Sequence, residues 1–145
     1  MSKIGRASRN ASLLRVETLD GTANKTIASA ESGEVYILGG DPAAPRTITL
    51  PAAKAGAYFK FIVSVEADTS TWIIKTEKAG VLMKGSVLCH VDDGDATTDV
   101  TDNGDDVQLT LSADTNRGTV VEVLSDGTSW FATGVVICSV APVFA

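Results

Sequence analysis

The side chains best suited to chemistry are few. The chain has one histidine, His90, and two cysteines, Cys89 and Cys138. Neighbouring side chains on a strand point to opposite faces, so Cys89 and His90 cannot act together as nucleophile and base. Asp92 can share a face with His90, but only as an exposed ion pair near a loop, and the three soft ligands lack the close spacing of zinc motifs. We therefore predict no catalytic site, no metal and no cofactor.

A dense acidic block is the other candidate for chemistry. Residues 92–106, "DDGDATTDVTDNGDD", contain seven aspartates in fifteen positions. An EF-hand loop set with Gly104 at position six would have Thr101 and Thr110 where acids are needed. The sequence favours a solvated loop in which like charges repel one another. Calcium binding, or contact with a basic segment of a neighbouring copy, stays open.

The first sixteen residues have the opposite charge. Lys3, Arg6, Arg9 and Arg15 stand there without any acid, whereas the rest of the chain has eight basic and eighteen acidic residues. A basic arm on an acidic body predicts docking onto a negatively charged partner or a neighbouring copy. We expect no nucleic-acid partner, because the acidic body would repel phosphate.

The start of the chain also bears on where the protein is made. "MSKIGRASRNASLL" is basic and lacks the apolar central region of a secretory signal. No apolar run approaches the roughly 18–20 residues needed to cross a bilayer. We predict assembly in a cytoplasm and no membrane partner. In that setting two buried thiols are favoured over a disulfide between Cys89 and Cys138, although a disulfide stays possible.

The elements that must position these residues are short strands. Runs rich in Val, Ile, Thr and aromatic residues recur between turns of Gly, Asp and Asn, and no long amphipathic helix is evident. In "AYFKFIVSV" a two-residue period places Phe59, Phe61, Val63 and Val65 in a core. Eight strands are predicted, at 34–38, 46–51, 57–65, 69–77, 81–91, 107–112, 119–125 and 129–140.

Turn residues between these runs suggest how the strands connect. Asp126-Gly127 between two alternating runs is a strong hairpin signal, and "EADT", residues 66–69, is a plausible second hairpin. Gly85 is expected to mark a bend or bulge. The predicted fold is all-β, a sandwich or barrel (jelly-roll-like) of about eight antiparallel strands with an extended N-terminal arm. Residues 1–30 form the arm and lead-in, and residues 31–145 form a single β domain.

The two tryptophans are the most prominent aromatic residues. Trp72 and Trp130 fall on strands, where an indole more often packs in a core or an interface than binds a ligand. The alternative is a platform that stacks on sugars. In the 129–140 run, Trp130 shares its face with the small residues Ala132 and Gly134, so the ring can lie over them.

Three segments, read in order, resemble a β-rich module of bacteriophage structural proteins. They are "ITLPAAKAGAYFKFIVSV" (48–65), "TWIIKT" (71–76) and "VEVLSDGTSWFATG" (121–134). The resemblance covers about residues 46–136 and leaves the arm uncovered. Such modules occur in capsid decoration (cement) proteins and in fibre tips, commonly as trimers. The module implies no catalytic residues.

The resemblance implies a non-enzymatic virion protein. A short β domain with a basic arm suits a homotrimer that decorates and stabilises a phage capsid by binding the major capsid protein on the capsid surface. On this hypothesis Lys3, Arg6, Arg9 and Arg15 dock to the shell or an adjacent subunit, while Trp72 and Trp130 pack the body or an interface. The alternative is a receptor- or carbohydrate-binding tip of a phage fibre.

Overall fold

The computed structural model describes residues 13–91 and 97–145. Within them the chain forms twelve strands and one turn of 3₁₀-helix, Ser29–Glu31. The strands are β1 Val16–Leu19, β2 Lys25–Thr26, β3 Val35–Leu38, β4 Arg46–Thr49, β5 Tyr58–Val63, β6 Trp72–Lys75, β7 Met83–Val91, β8 Thr97–Thr101, β9 Gln108–Leu111, β10 Val120–Ser125, β11 Trp130–Cys138 and β12 Val143–Phe144. No helix in the described residues is long and apolar enough to cross a membrane.

The strands form two sheets that pack against each other, which confirms the predicted all-β sandwich. The larger sheet has the order β1-β3-β5-β10-β11-β7-β8, and the smaller has the order β12-β9-β6-β4-β2. The predicted strand number of about eight is too low. The four strands that the sequence analysis missed are β1, β2, β8 and β12, which have two to five residues each and little apolar periodicity.

The prediction that the strands are all antiparallel is wrong. From β1 to β6 the chain changes sheet after every strand, so strands two apart in sequence become neighbours and run parallel. The segment "EADT" therefore joins no hairpin: it lies on the connection that takes the chain from β5 in the larger sheet to β6 in the smaller. The Asp126-Gly127 hairpin does form, and it joins antiparallel β10 and β11.

The lead-in segment contributes strands to both sheets. β1 pairs with β3 in the larger sheet and β2 pairs with β4 in the smaller, and Ile27 just after β2 is buried. From residue 16 onward the chain is therefore part of the sandwich, and the predicted division at residue 30 falls after two of its strands.

One core fills the space between the sheets. From β5 it receives Phe59, Phe61 and Val63, as the two-residue period predicts, whereas Val65 lies past the end of the strand and is exposed. Trp72 and Ile74 enter from the smaller sheet. Stacked rings of Tyr36 and Phe61, with centroids 5.6 Å apart, belong to the same cluster.

Candidate functional site: the outer face of the larger sheet

The two sheets present different surfaces on the sides that face away from the core. On the smaller sheet half of the residues on this side are threonine, and two of the eight are apolar. Its members are Thr26, Thr47, Thr49, Ile73, Lys75, Gln108, Thr110 and Val143. The corresponding side of the larger sheet, called the outer face below, is much more apolar. A soluble sandwich needs no apolar residues there, so this difference identifies the outer face as a candidate binding surface.

An apolar row crosses five neighbouring strands of the outer face. Its residues are paired in register from β3 to β7 and are Ile37, Ile62, Val120, Val135 and Leu88. Val135 and Leu88 are 44% and 38% exposed, and the other three are partly buried. Because adjacent strands are about 4.8 Å apart, the row is a stripe of roughly 20 Å.

A second apolar row lies four residues further along the strands. It runs from Tyr58 through Leu124 to Phe131 and ends at Lys84. Leu124 is 50% exposed and Phe131 40% exposed. The Lys84 ammonium lies 6.0 Å from the centroid of the Phe131 ring, a weak cation–π contact at the edge of the row.

A polar row separates the two apolar rows. On β5 and β10 it consists of Lys60 and Glu122, which are register partners with Nζ and Oε1 3.4 Å apart. It continues into Thr133 and Ser86. Burial and the neighbouring Glu122 carboxylate raise the pKa of the Tyr58 hydroxyl above its ordinary value. The outer face thus places one charge pair between two apolar stripes.

These residues do not stand out in the sequence as a binding surface. The available signal was that β5, β10 and β11 are apolar on both of their faces, as in "YFKFIV" and "GVVIC", which is unusual for a strand with a solvated side. The rows themselves could not be predicted, because they depend on strand order and on parallel pairings that the sequence did not reveal.

A cluster of charged side chains lies at the edge of the sandwich that β1 and β2 form. The carboxylate oxygens of Glu17, Glu31 and Glu34 lie within 4.8 Å of one another. Lys25 is placed among them, with Nζ 2.7 Å from Glu17 and 3.0 Å from Glu31. Burial lowers the pKa of Lys25, but its bonds to Glu17 and Glu31 outweigh burial and raise it. The ammonium group is therefore the cation that this cluster holds, and we assign no metal to it.

Arg15 contacts the same cluster. Its guanidinium lies 3.4 Å from Glu34, and its side chain is 76% exposed. The Arg15 carbonyl oxygen accepts a hydrogen bond from Val35 N–H, which fixes the chain where it enters β1. The other three predicted docking residues, Lys3, Arg6 and Arg9, lie outside the described residues.

Trp72 and Trp130 are both fully buried in the interior of this chain. The Trp130 ring packs against Phe59, with centroids 5.8 Å apart, and lies on the same side of β11 as Ala132. Neither indole can stack on a sugar. Within the described residues, neither indole N–H has a hydrogen-bond partner.

The residues first considered for catalysis are kept apart. Cys89 is buried, whereas His90 is exposed on the opposite side of β7, as strand alternation predicts. Cys89 and Cys138 are free thiols with Sγ atoms 2.8 Å apart in the core. Burial raises the pKa of the Cys138 thiol, which opposes formation of a nucleophilic thiolate. Asp92 lies outside the described residues.

Part of the acidic block is a strand rather than a loop. Residues 97–101 form β8, which pairs with β7 and extends the larger sheet. The carboxylate of Asp102 accepts hydrogen bonds from the Gly85 and Gly104 N–H groups at 2.8 and 2.9 Å. Asp106, which is buried, accepts one from Asn103 N–H at 2.6 Å. The carboxylates of these two aspartates thus accept hydrogen bonds from backbone N–H groups. Among the described residues, none of this block belongs to a cluster of side chains that could together bind a metal ion.

The chain was also compared with known proteins. It matches no protein-family model, no curated protein and no solved structure.

Proposed function

We propose that this chain is a non-enzymatic structural protein that works by assembly, and that it decorates and stabilises a phage capsid by binding the major capsid protein. The observation that carries the proposal is the outer face, a surface with two apolar rows on one side of the sandwich. Surfaces of this kind mark protein–protein contacts. Three parts of the proposal rest on the resemblance of residues 46–136 to decoration modules: the phage capsid as the particle, the virion as the location, and the homotrimer.

Two surfaces are available for assembly under this proposal. The basic arm supplies charge for docking to the shell, and the outer face supplies apolar area for contact between subunits. Arg15 is engaged with Glu34. We therefore assign shell docking chiefly to Lys3, Arg6 and Arg9.

Removing the charge of the arm tests shell docking. The variant Lys3→Ser, Arg6→Ser, Arg9→Ser leaves residues 13–145 unchanged. We expect it to saturate capsids assembled without this protein only at about tenfold or higher concentration, since each 1.4 kcal/mol is tenfold in affinity. The readout is the number of copies bound per capsid in a sedimentation assay.

A matched control separates the arm from net charge. Lys54→Ser, Lys78→Ser, Arg117→Ser removes three exposed positive charges from the body. We expect the control to saturate capsids at the wild-type concentration. If the arm variant saturates capsids at the same concentration as the wild type, the assignment of shell docking to Lys3, Arg6 and Arg9 is wrong. If neither the wild type nor the arm variant binds any capsid, the proposed function is wrong.

A further inference from the structure

We infer that the outer face is covered by the same face of a second copy of this chain, related by a two-fold axis that runs parallel to the strands between β5 and β10. This inference concerns free copies in solution and does not depend on the capsid as partner, but it differs from the proposed function in giving two copies instead of three. The register of the sheet and the charge pair at its centre support this two-fold contact.

A two-fold axis in this position pairs the rows of the outer face with themselves. Rotation about an axis parallel to the strands keeps each residue at its height and exchanges β5 with β10 and β3 with β11. Ile62 then faces Val120 of the second copy, and Ile37 faces its Val135. In the other apolar row Tyr58 faces Leu124. On these four strands the first row pairs apolar residues throughout and the second row does so on β5 and β10, whereas Leu88 on β7 faces Thr18 on β1.

The same rotation makes the central charges complementary. Lys60 and Glu122 are register partners on β5 and β10, so each Lys60 faces the Glu122 of the other copy. The pair of copies would contain four charges of alternating sign between two apolar rows. Such an arrangement fixes orientation and register, while the apolar rows supply the affinity.

Other orientations lack this match. A two-fold axis along the rows, at right angles to the strands, would place Lys60 against Lys60 and Glu122 against Glu122. The charge pair therefore selects one axis from those that bring the two faces together. A contact in which a face meets itself is a two-fold contact, and the geometry points to two copies where the resemblance implies three.

The available area suits such a contact. Six strands overlap, from β1 to β7, and the three rows, counted at two residues each, cover about 20 Å along the strands, so each copy buries a flat area of about 600 Å² at the usual strand spacing. A standard protein interface buries about 800 Å² of accessible surface per partner, and accessible surface exceeds flat area. The outer face is therefore large enough for a specific dimer.

The experiment uses charge reversal at the central pair of the full-length chain. Lys60→Glu gives a copy with two negative charges at the centre, and Glu122→Lys gives one with two positive charges. Each variant alone places like charges across the two-fold axis, which costs several kcal/mol, so we expect its dissociation constant to rise by about 100-fold or more. Light scattering after size exclusion gives the mass of two copies for the wild type and of one copy for each variant.

Mixing the two variants isolates the contact between copies. In the mixed pair every charge faces an opposite charge of the other copy, although within each copy the charges still repel. We expect an equimolar mixture to form the two-copy species again. Loss of the ion pair within each copy cannot produce this recovery, so the readout distinguishes contact between copies from a structural role.

Two further variants complete the test. Lys75→Glu reverses an exposed lysine on the smaller sheet, and we expect it to remain a dimer. If a charge-reversed variant fails to fold, Val135→Lys takes its place, because it inserts an exposed charge into an apolar row and should give single copies. A wild type with the mass of one or three copies, or a mixture that stays monomeric, would overturn the inference.

Discussion

At the scale of single residues, three exposed aspartates hold turns together through hydrogen bonds to their carboxylates. Asp126 accepts hydrogen bonds from the Ser129 and Thr128 N–H groups, both at 2.8 Å, in the β10–β11 hairpin. Asp20 and Asp41 each accept one bond from a threonine hydroxyl and one from the N–H of the same residue, Thr22 and Thr69 respectively. These bonds favour the ionised carboxylate.

The pH dependence of stability follows from these bonds. They lower the folded-state pKa of Asp20, Asp41 and Asp126 below the ordinary value of 3.8. The unfolded chain therefore binds protons first as the pH falls, and the contribution to stability, fully present above about 3.8, is lost as the pH falls through the lower folded-state values. We expect the variant Asp20→Asn, Asp41→Asn, Asp126→Asn to lose less stability than the wild type between about pH 5 and pH 3.

Urea unfolding at a series of pH values measures this difference. The asparagine oxygen can still accept the turn hydrogen bonds at positions 20 and 126 and one of the two at position 41, so the variant should fold. Parallel curves of unfolding free energy against pH for the two proteins would contradict the assigned role of these carboxylates.

At the scale of elements, one glycine determines how closely β7 and β11 approach. Gly85 has a φ of 120°, and a Cβ there would lie 2.1 Å from the Ala132 carbonyl oxygen. Its N–H donates to the Asp102 carboxylate, and its carbonyl accepts from Asp102 N–H at 3.1 Å. Gly85 thus lies where parallel β7 and β11 pair and where β8 ends, and the bend or bulge expected there stays a prediction.

We expect Gly85→Ala to destabilise the fold by about 3 kcal/mol or more, because the strand would have to move away from a backbone atom. The measurement is the urea midpoint. Gly80→Ala is the matched control, since a Cβ at Gly80 meets no atom within 4 Å and its φ is not positive. Equal midpoints for the two variants would show that β7 and β11 can separate at no cost.

The strands also show which parts of the fold could be predicted from the sequence alone. Every predicted strand from 34–38 to 129–140 contains an observed strand, because apolar alternation and turn residues act locally. Pairing is not local. "EADT" has the composition of a hairpin turn, yet the chain there crosses to the other sheet, and only the long-range partners of β5 and β6 decide this. The rows of the outer face depend on that pairing and could not be predicted.

At the scale of the whole molecule, each sheet contributes one tryptophan to the shared core. Trp72 belongs to β6 of the smaller sheet and Trp130 to β11 of the larger. Seven successive strands, β1 to β7, alternate between the sheets, so neither sheet can detach without pulling the chain out of the other. The arrangement predicts that both sheets unfold in a single transition.

Single-tryptophan variants test this cooperativity. Trp130→Phe leaves Trp72 as the reporter of the smaller sheet, and Trp72→Phe leaves Trp130 as the reporter of the larger. In the described residues neither indole N–H has a partner, so phenylalanine breaks no hydrogen bond there, and we expect each change to cost about 1–3 kcal/mol through loss of packing. Within each variant the fluorescence midpoint in urea should coincide with the circular-dichroism midpoint and with the reaction of Cys89 and Cys138 with a thiol reagent. Cys89 and Cys138 lie on β7 and β11 of the larger sheet, so a Trp72 fluorescence transition that precedes thiol exposure in the Trp130→Phe variant would mean that the two sheets unfold separately.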